Sequence, residues 1–423
     1  MSELGLMLIA SGHHSPPRPR VRAWSSDCDD RPRPLRGGAH RPIGIWTDIA
    51  AGRPEQPPQT VLPDNSFLTE RGRIQSERRA VPPTCDAPST MTSHRSMKTI
   101  LVTGGAGFVG SHACKALSRA GYLPVTFDNL ERGHERAVKW GPLERGDLRD
   151  EQDLRRAFEA HRPRAVMHFA AYAYVGESTA EPAKYYDNNI GGTARLIQAC
   201  ATFECKNVVF SSSCATYGVP ERLPLKEDAA QNPVNPYGYT KLVIERMLKD
   251  AEAAHGIRHV ALRYFNAAGA DPDGELGELH RPETHLIPLV LFAAMGREPS
   301  IRIFGHDYPT PDGTCVRDYV HVSDLADAHV AAIDRLRAGE PSDSFNLGNG
   351  RGFSVAEVVR TAEKVTGLSV QTEICARRPG DPPVLVSDSS KARQMLGWMP
   401  KFPDLERQIM HAWTWFRDKM PNI

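Results

Sequence analysis

The chain has 423 residues, with 52 Lys and Arg against 51 Asp and Glu and a formal net charge of +1. That length supports a large core, and the charge balance excludes a general electrostatic pull toward nucleic acid or an anionic membrane. No apolar run reaches the length that spans a bilayer, and the opening residues carry Glu3 and lack the basic stretch of a signal peptide.

The cysteines (Cys28, Cys85, Cys114, Cys200, Cys205, Cys214, Cys315, Cys375) form no CxxC pair. They are expected as reduced thiols of a cytoplasmic protein. No HExxH or Cys/His cluster has metal-ligand spacing, so no metal is expected.

Residues 1–97 are rich in Pro and Arg, as in Arg31-Pro32-Arg33-Pro34, and show no periodicity of 2 or 3.6. Such a segment buries too little apolar surface to offset its ordering entropy. It is expected to be disordered, or an artefactual extension upstream of a start at Met91 or Met97. Lys98 is the first lysine of the chain, and there the character changes.

The run 99–102 is short, β-branched and apolar, as a buried parallel strand requires. A glycine turn follows. Val109, Ala113, Ala116, Leu117 and Ala120 then recur at helical spacing, and Gly121 ends that helix. Further strands are predicted over 125–127, 165–169, 207–211 and 259–263. Helices are predicted over 151–160, 185–200 and 237–254. Alternation of strand and helix implies an α/β fold, a Rossmann-type doubly wound parallel sheet. After Asn266 the pattern turns irregular, which implies a smaller C-terminal domain at the sheet's carboxyl edge.

The turn reads Thr103-Gly104-Gly105-Ala106-Gly107-Phe108-Val109-Gly110. Gly105, Gly107 and Gly110 make G-x-G-x-x-G, and Gly104, Gly107 and Gly110 make G-x-x-G-x-x-G. Glycine allows the tight turn and the close approach of backbone to a pyrophosphate, which then meets free N–H groups and the positive end of a helix dipole. Asp128, followed by Asn129, ends the next strand. A carboxylate there accepts ribose hydroxyls and repels a 2′-phosphate, so NAD is expected rather than NADP. Asp147, before Leu148, stands where an adenine contact is expected.

Tyr237 and Lys241 lie four residues apart at a helix start, on one face. A nearby ammonium favours a phenolate, which makes the tyrosine a base at working pH. The strand over 207–211 runs into Ser211, Ser212 and Ser213, at the end where parallel strands meet their cofactor.

Glycine loop, serine and Tyr-x-x-x-Lys in this order resemble the extended short-chain dehydrogenase/reductases. Several strings narrow the resemblance to the UDP-galactose (UDP-glucose) 4-epimerases, over about residues 98–417. They include His168-Phe169-Ala170-Ala171, Tyr185-Tyr186-Asp187-Asn188-Asn189, Asn235-Pro236-Tyr237-Gly238, Arg263-Tyr264-Phe265-Asn266 and Val316-Arg317-Asp318-Tyr319. The resemblance implies an NAD-binding domain over 98–265 and a mainly UDP-sugar-binding domain over 266–423, with a segment near 316–350 returning to the first.

It further implies C4 epimerisation of a UDP-hexose through a transient 4-keto form. Tyr237 would be the base, with Ser213 and Lys241 assisting. Phe108, Val109, Leu148, Phe169, Ala170, Ala171, Asn188, Ser211 and Tyr264 would neighbour NAD. Asn266, His285, Phe304, Arg317, Arg378 and Asp381 would hold the UDP-sugar. The chain departs from some members at Ala173, where they carry a lysine, and at Leu385, a position thought to limit N-acetylated sugars. A homodimer through the helices at 185–200 and 237–254 is implied too. UDP-xylose/UDP-arabinose epimerisation stays open as an alternative. A dehydratase or decarboxylase is disfavoured, because dehydratases usually carry an Asp-Glu pair beside the catalytic serine or threonine, and here Cys214-Ala215-Thr216 follow Ser213.

Overall fold

The computed structural model describes residues 98–378 and 380–420. The Pro/Arg-rich segment 1–97, and the expectation made for it, lie outside the described residues.

The first half alternates as foreseen: β1 (Lys98–Thr103), α1 (Phe108–Arg119), β2 (Tyr122–Asp128), β3 (Leu143–Arg145), α2 (Glu151–His161), β4 (Ala165–His168), α3 (Val175–Ala180), α4 (Pro182–Tyr185), α5 (Gly192–Thr202), β5 (Asn207–Ser213), α6 (Pro236–His255) and β6 (Arg258–Tyr264). The second half holds β7 (Asn266–Ala268), α7 (Leu286–Ala294), β8 (Ile301–Phe304), β9 (Val316–His321), α8 (Val322–Arg337), β10 (Asp343–Leu347), β11 (Gly352–Ser354), α9 (Val355–Thr366), β12 (Thr372–Cys375), β13 (Val384–Leu385), α10 (Ser390–Leu396) and α11 (Leu405–Thr414).

Seven parallel strands form the main sheet in the order β10-β6-β5-β4-β1-β2-β3. Apolar side chains are buried on both faces, so β1, β4 and β6 are near-continuous hydrophobic runs. One face packs Ile100, Val102, Leu117, Leu325 and Ile333. The other packs Leu101, Phe127, Phe158, Ile244 and Leu248. Each large side chain so buried contributes roughly 1.5–3 kcal/mol. Strand β10 comes from the second half of the chain and pairs with β6, while α8 packs on α1. A separate core of α7, α9 and α11 surrounds a four-stranded sheet of β7, β9, β11 and β13.

Two local features place the site. Asn235 caps α6: its side-chain oxygen accepts from Gly238 N at 2.9 Å, and Pro236 occupies the first helical turn. That fixes where Tyr237 leaves the chain. The continuous helix expected over 185–200 is instead interrupted by a π-helical turn, Tyr186–Gly191, between α4 and α5. Within that turn the buried Asn189 amide bonds both Tyr172 N (2.9 Å) and Tyr172 O (3.0 Å). The widened turn carries Asn188 at the edge of the cleft described next.

Candidate active site

Strand order reverses between β4 and β1, and a cleft of about 990 Å³ opens there at the carboxyl ends of the strands. One half of its wall is the glycine turn, with Gly104, Gly107, Phe108, Val109 and Gly110. Gly104 sits at φ +72°, and a Cβ on it would stand 2.6 Å from Ala170 N. A Cβ on Gly110 would stand 2.2 Å from Gly104 O. The turn therefore closes only with hydrogen at these positions. Gly107 caps α1 without any side-chain hydrogen bond, which leaves the first-turn N–H groups for an anionic ligand.

Asp128 lies across this turn. Its carboxylate accepts from Ala106 N at 3.0 Å and Leu130 N at 2.9 Å. Burial pushes its pKa up, and these two N–H groups oppose the rise. A carboxylate has about four acceptor sites, so about two stay available to ribose hydroxyls. Asn129 donates to Asp147 at 3.0 Å, and the Arg149 guanidinium holds the Asp147 carboxyl well below the usual range. Leu148, Phe169, Ala170 and Ala171 continue the same wall. A free helix terminus for phosphates and a carboxylate with spare acceptors fit a dinucleotide.

The other half holds the acid/base groups. Ser213 and Tyr237 both line the cleft. Ser213 Oγ accepts from Ala215 N at 3.1 Å. Side chains alternate along β5. Ser211 bonds Tyr264 OH at 2.5 Å on the cleft side, while Ser212 donates to Glu245 at 2.6 Å behind the strand.

Lys241 is buried and does not line the cleft. Its Nζ donates to Ser211 O at 2.7 Å and lies 5.8 Å from the Tyr237 ring centre. Burial lowers the Lys241 pKa to about 7, with Glu245 pulling weakly upward. Burial also raises the Tyr237 phenol well above its ordinary value, with Tyr264 adding to the rise. The sequence expectation that Lys241 lowers the phenol's pKa is thus not met by the protein groups alone. Desolvation dominates at the phenol, and the Lys241 ammonium is turned toward a carbonyl.

Of the residues expected to hold the UDP-sugar, Asn266, His285 and Arg378 line the cleft; Phe304, Arg317 and Asp381 do not. Asn266 Nδ2 donates to Asp318 O at 2.9 Å. The Arg378 guanidinium lies 4.0 Å over the Phe304 ring. Arg317 pairs with Asp381 and donates to Val316 O at 2.7 Å, so about three of its five donors remain.

Sequence reasoning missed several residues. Arg132 lines the cleft 5.2 Å over the Tyr174 ring and bonds Glu177 at 3.2 Å; its place just after Asp128-Asn129 was the only signal. Glu278, His280 and Glu283 surround His285. Burial alone would lower both imidazoles, but the two carboxylates raise His280 to about 9 and His285 to about 10. Behind the site, Arg263 grips Glu245 with Nε at 2.9 Å and Nη2 at 2.6 Å.

The sequence profile described as the NAD dependent epimerase/dehydratase family matches residues 100–348. The chain belongs to that family. It is 52% identical over 316 residues to UDP-glucose 4-epimerase of Rhizobium meliloti (strain 1021), covering 75% of this chain and 96% of the relative. The fold is similar to the crystal structure of UDP-glucose 4-epimerase from Brucella ovis in complex with NAD, with a TM-score of 0.74, 54% identity, and 75% and 98% of the two chains covered. It is also similar to the enzyme of Stenotrophomonas maltophila, solved with bound NAD and formylated UDP-arabinopyranose (TM-score 0.74, 39% identity, 77% and 100% covered). These matches agree with the α/β parallel sheet and with the resemblance found in the sequence.

Proposed function

We propose that this chain is an NAD-dependent UDP-hexose 4-epimerase that interconverts UDP-glucose and UDP-galactose. One observation carries the chemistry: Ser213 and Tyr237 line the same cleft whose opposite wall is the glycine turn. NAD, when bound, supplies a hydride acceptor for C4 and returns the hydride to the 4-keto sugar. The glycine turn from Gly104 to Gly110, Asp128 and Asn188 would hold it, with Arg132 available where relatives use a lysine and this chain has Ala173.

Tyr237 takes the proton from the sugar 4-hydroxyl and gives it back after the sugar has offered its other face. Ser213 shares the 4-oxygen. Lys241 keeps one N–H on Ser211 and turns its other donors toward ribose hydroxyls. Arg378 and Arg317 meet the diphosphate with planar, permanently charged forks, and Asp381 orients the second of them. Asn266 and Phe304 contact the nucleotide part.

Two copies associate through α5, α6 and the π turn between α4 and α5. Tyr186 and Tyr239 support this: they are 40% and 50% exposed and meet edge-on at 6.3 Å. No helix among the described residues is long and apolar enough to cross a membrane. A cytoplasmic location, which keeps thiols reduced, is the reading that the six free cysteines among the described residues support.

The test is incubation of purified protein with UDP-galactose, without added NAD, followed by separation of products. UDP-glucose is expected, and denatured protein should release NAD. Conversion of UDP-arabinose with no action on UDP-galactose would shift the assignment to the pentose pair. Strict need for millimolar added NAD would count against a closed redox cycle.

A further inference from the structure

Glu278, His280, Glu283 and His285 come together from one short loop at the wall of the cleft. One ligand atom from each lies within 4.8 Å of all the others. The four do not pair off one to one. Glu278 Oε1 takes both rings, at 3.0 Å from His280 Nδ1 and 2.7 Å from His285 Nδ1. Glu283 offers one oxygen to each, at 3.7 Å to His280 Nδ1 and 3.0 Å to His285 Nδ1.

In a tetrahedral zinc site the metal bonds run about 2.0–2.2 Å, which sets neighbouring ligand atoms roughly 3.4 Å apart. Three of the four contacts above, at 2.7 to 3.0 Å, are shorter than that and one, at 3.7 Å, is longer, so an ion would have to spread the first three by about 0.4–0.7 Å. Two imidazoles and two carboxylates are a donor set for a borderline dication.

The donors are also held by backbone groups of the loop and by side chains beyond it. Glu283 Oε1 accepts from Thr284 N at 2.7 Å and His285 N at 2.9 Å, which fixes that carboxylate. His134 bonds Leu279 O at 2.9 Å, and Trp415 Nε1 donates to Glu278 O at 3.1 Å. These bonds anchor the backbone beside the first two ligands. The contrast is the acid group Asp271, Asp273 and Glu275, where Lys115 Nζ already stands at 2.6, 2.8 and 2.5 Å. That position is filled by an ammonium; no lysine or arginine is recorded in the His/Glu group.

We propose that Glu278, His280, Glu283 and His285 bind one transition-metal dication of the Zn2+ class. All four donors come from protein, so the ion closes the loop along the cleft rather than opening a coordination position to the sugar. The site goes beyond the epimerase assignment and does not depend on it.

The test uses the full chain, dialysed against a chelator and titrated with Co2+ and then Zn2+. One equivalent of Co2+ should give the intense visible absorption of a tetrahedral site, and Zn2+ should abolish it. His280→Gln and Glu283→Gln should each weaken Co2+ binding at least about tenfold, as loss of one ligand would. Asp273→Asn, in the lysine-filled group, should leave it unchanged. X-ray absorption of the zinc-loaded wild type should show two imidazole nitrogens and two oxygens, a readout independent of how the variants fold. No tetrahedral signal, sulfur in the coordination shell, or full binding in both His280→Gln and Glu283→Gln would overturn the site.

Discussion

Lys241 Nζ donates a 2.7 Å hydrogen bond to the carbonyl oxygen of Ser211, joining α6 to the end of β5. The bond ties together the two elements that carry Tyr237 and Ser213. It also sets what Lys241 can do. One of its three donors is committed to the scaffold, and burial brings its pKa to about 7. Loss of the lysine should therefore act on cofactor retention and on geometry as well as on charge.

Tyr237→Phe keeps the ring and removes only the phenolic oxygen. A positioned acid/base typically contributes ~10²–10⁴-fold to rate. Turnover of UDP-galactose should fall within that range while bound NAD and UDP affinity stay near wild type. Near-normal turnover across pH 6 to 9, roughly the span over which such a base operates, would place the base elsewhere.

Lys241→Met should behave differently. A hydrogen bond to a charged group contributes about 1.5–3 kcal/mol, so NAD retention should drop about tenfold to a hundredfold. The check is NAD released on denaturation, measured beside turnover. Full occupancy with reduced turnover would remove the ribose contact from the assignment and leave Lys241 only its bond to Ser211.

Glu245 and Arg263 should be needed for stability, though neither lines the cleft. Their side chains are 3% and 4% exposed. Burial alone would raise the Glu245 pKa, but the Arg263 guanidinium and its hydrogen bonds hold it below the usual range. Removing one partner of such a pair leaves a buried charge uncompensated and costs about 3–5 kcal/mol. Glu245→Gln should show a loss of that order in chemical denaturation. A change under about 1 kcal/mol, the scale of an exposed pair, would mean that water reaches the pair.

Acid should destabilise the fold early. Burial lowers the pKa of His112 and His329 to about 4 and of His168 and His321 to about 3, all from 6.5. Between those values and 6.5 the unfolded chain binds more protons than the folded one, so stability rises with pH in that window. It is complete above 6.5 and erodes as pH falls through the window. Thermal melts from pH 7 downward should show this slope. His168→Asn should flatten it by up to one proton, because burial disfavours the charged form of this ring, which bonds Thr103 and Thr193 at 2.7 and 2.9 Å.

Much of the sheet was legible because strand and helix periods are local. The run 99–102, the helix after Gly107 and the strand before Ser211 each declare themselves within a dozen residues. The π turn at Tyr186–Gly191 was not legible. Asn189 within it bonds Tyr172, and nothing in the helical pattern announces a partner 17 residues earlier. The pKa relation between Tyr237 and Lys241 is likewise not legible in their spacing. Spacing puts both on one face, but only the packed structure shows that Lys241 Nζ turns to Ser211 O and that burial controls both groups.

By itself the sequence determined the glycine turn, the acid at the end of β2, the tyrosine–lysine helix and the family they resemble. These are short-range patterns, in which residue type and spacing already state the physical requirement. The resemblance implied that a segment near 316–350 returns to the first domain, but tertiary structure alone decided that β10 pairs with β6 in particular, that Arg263 and Glu245 pair behind the site, and that four donors of one loop converge at the cleft wall. The first two depend on through-space contacts between segments far apart in the chain. The third depends on the path of an irregular loop, which no period encodes and which backbone anchors from His134 and Trp415 fix.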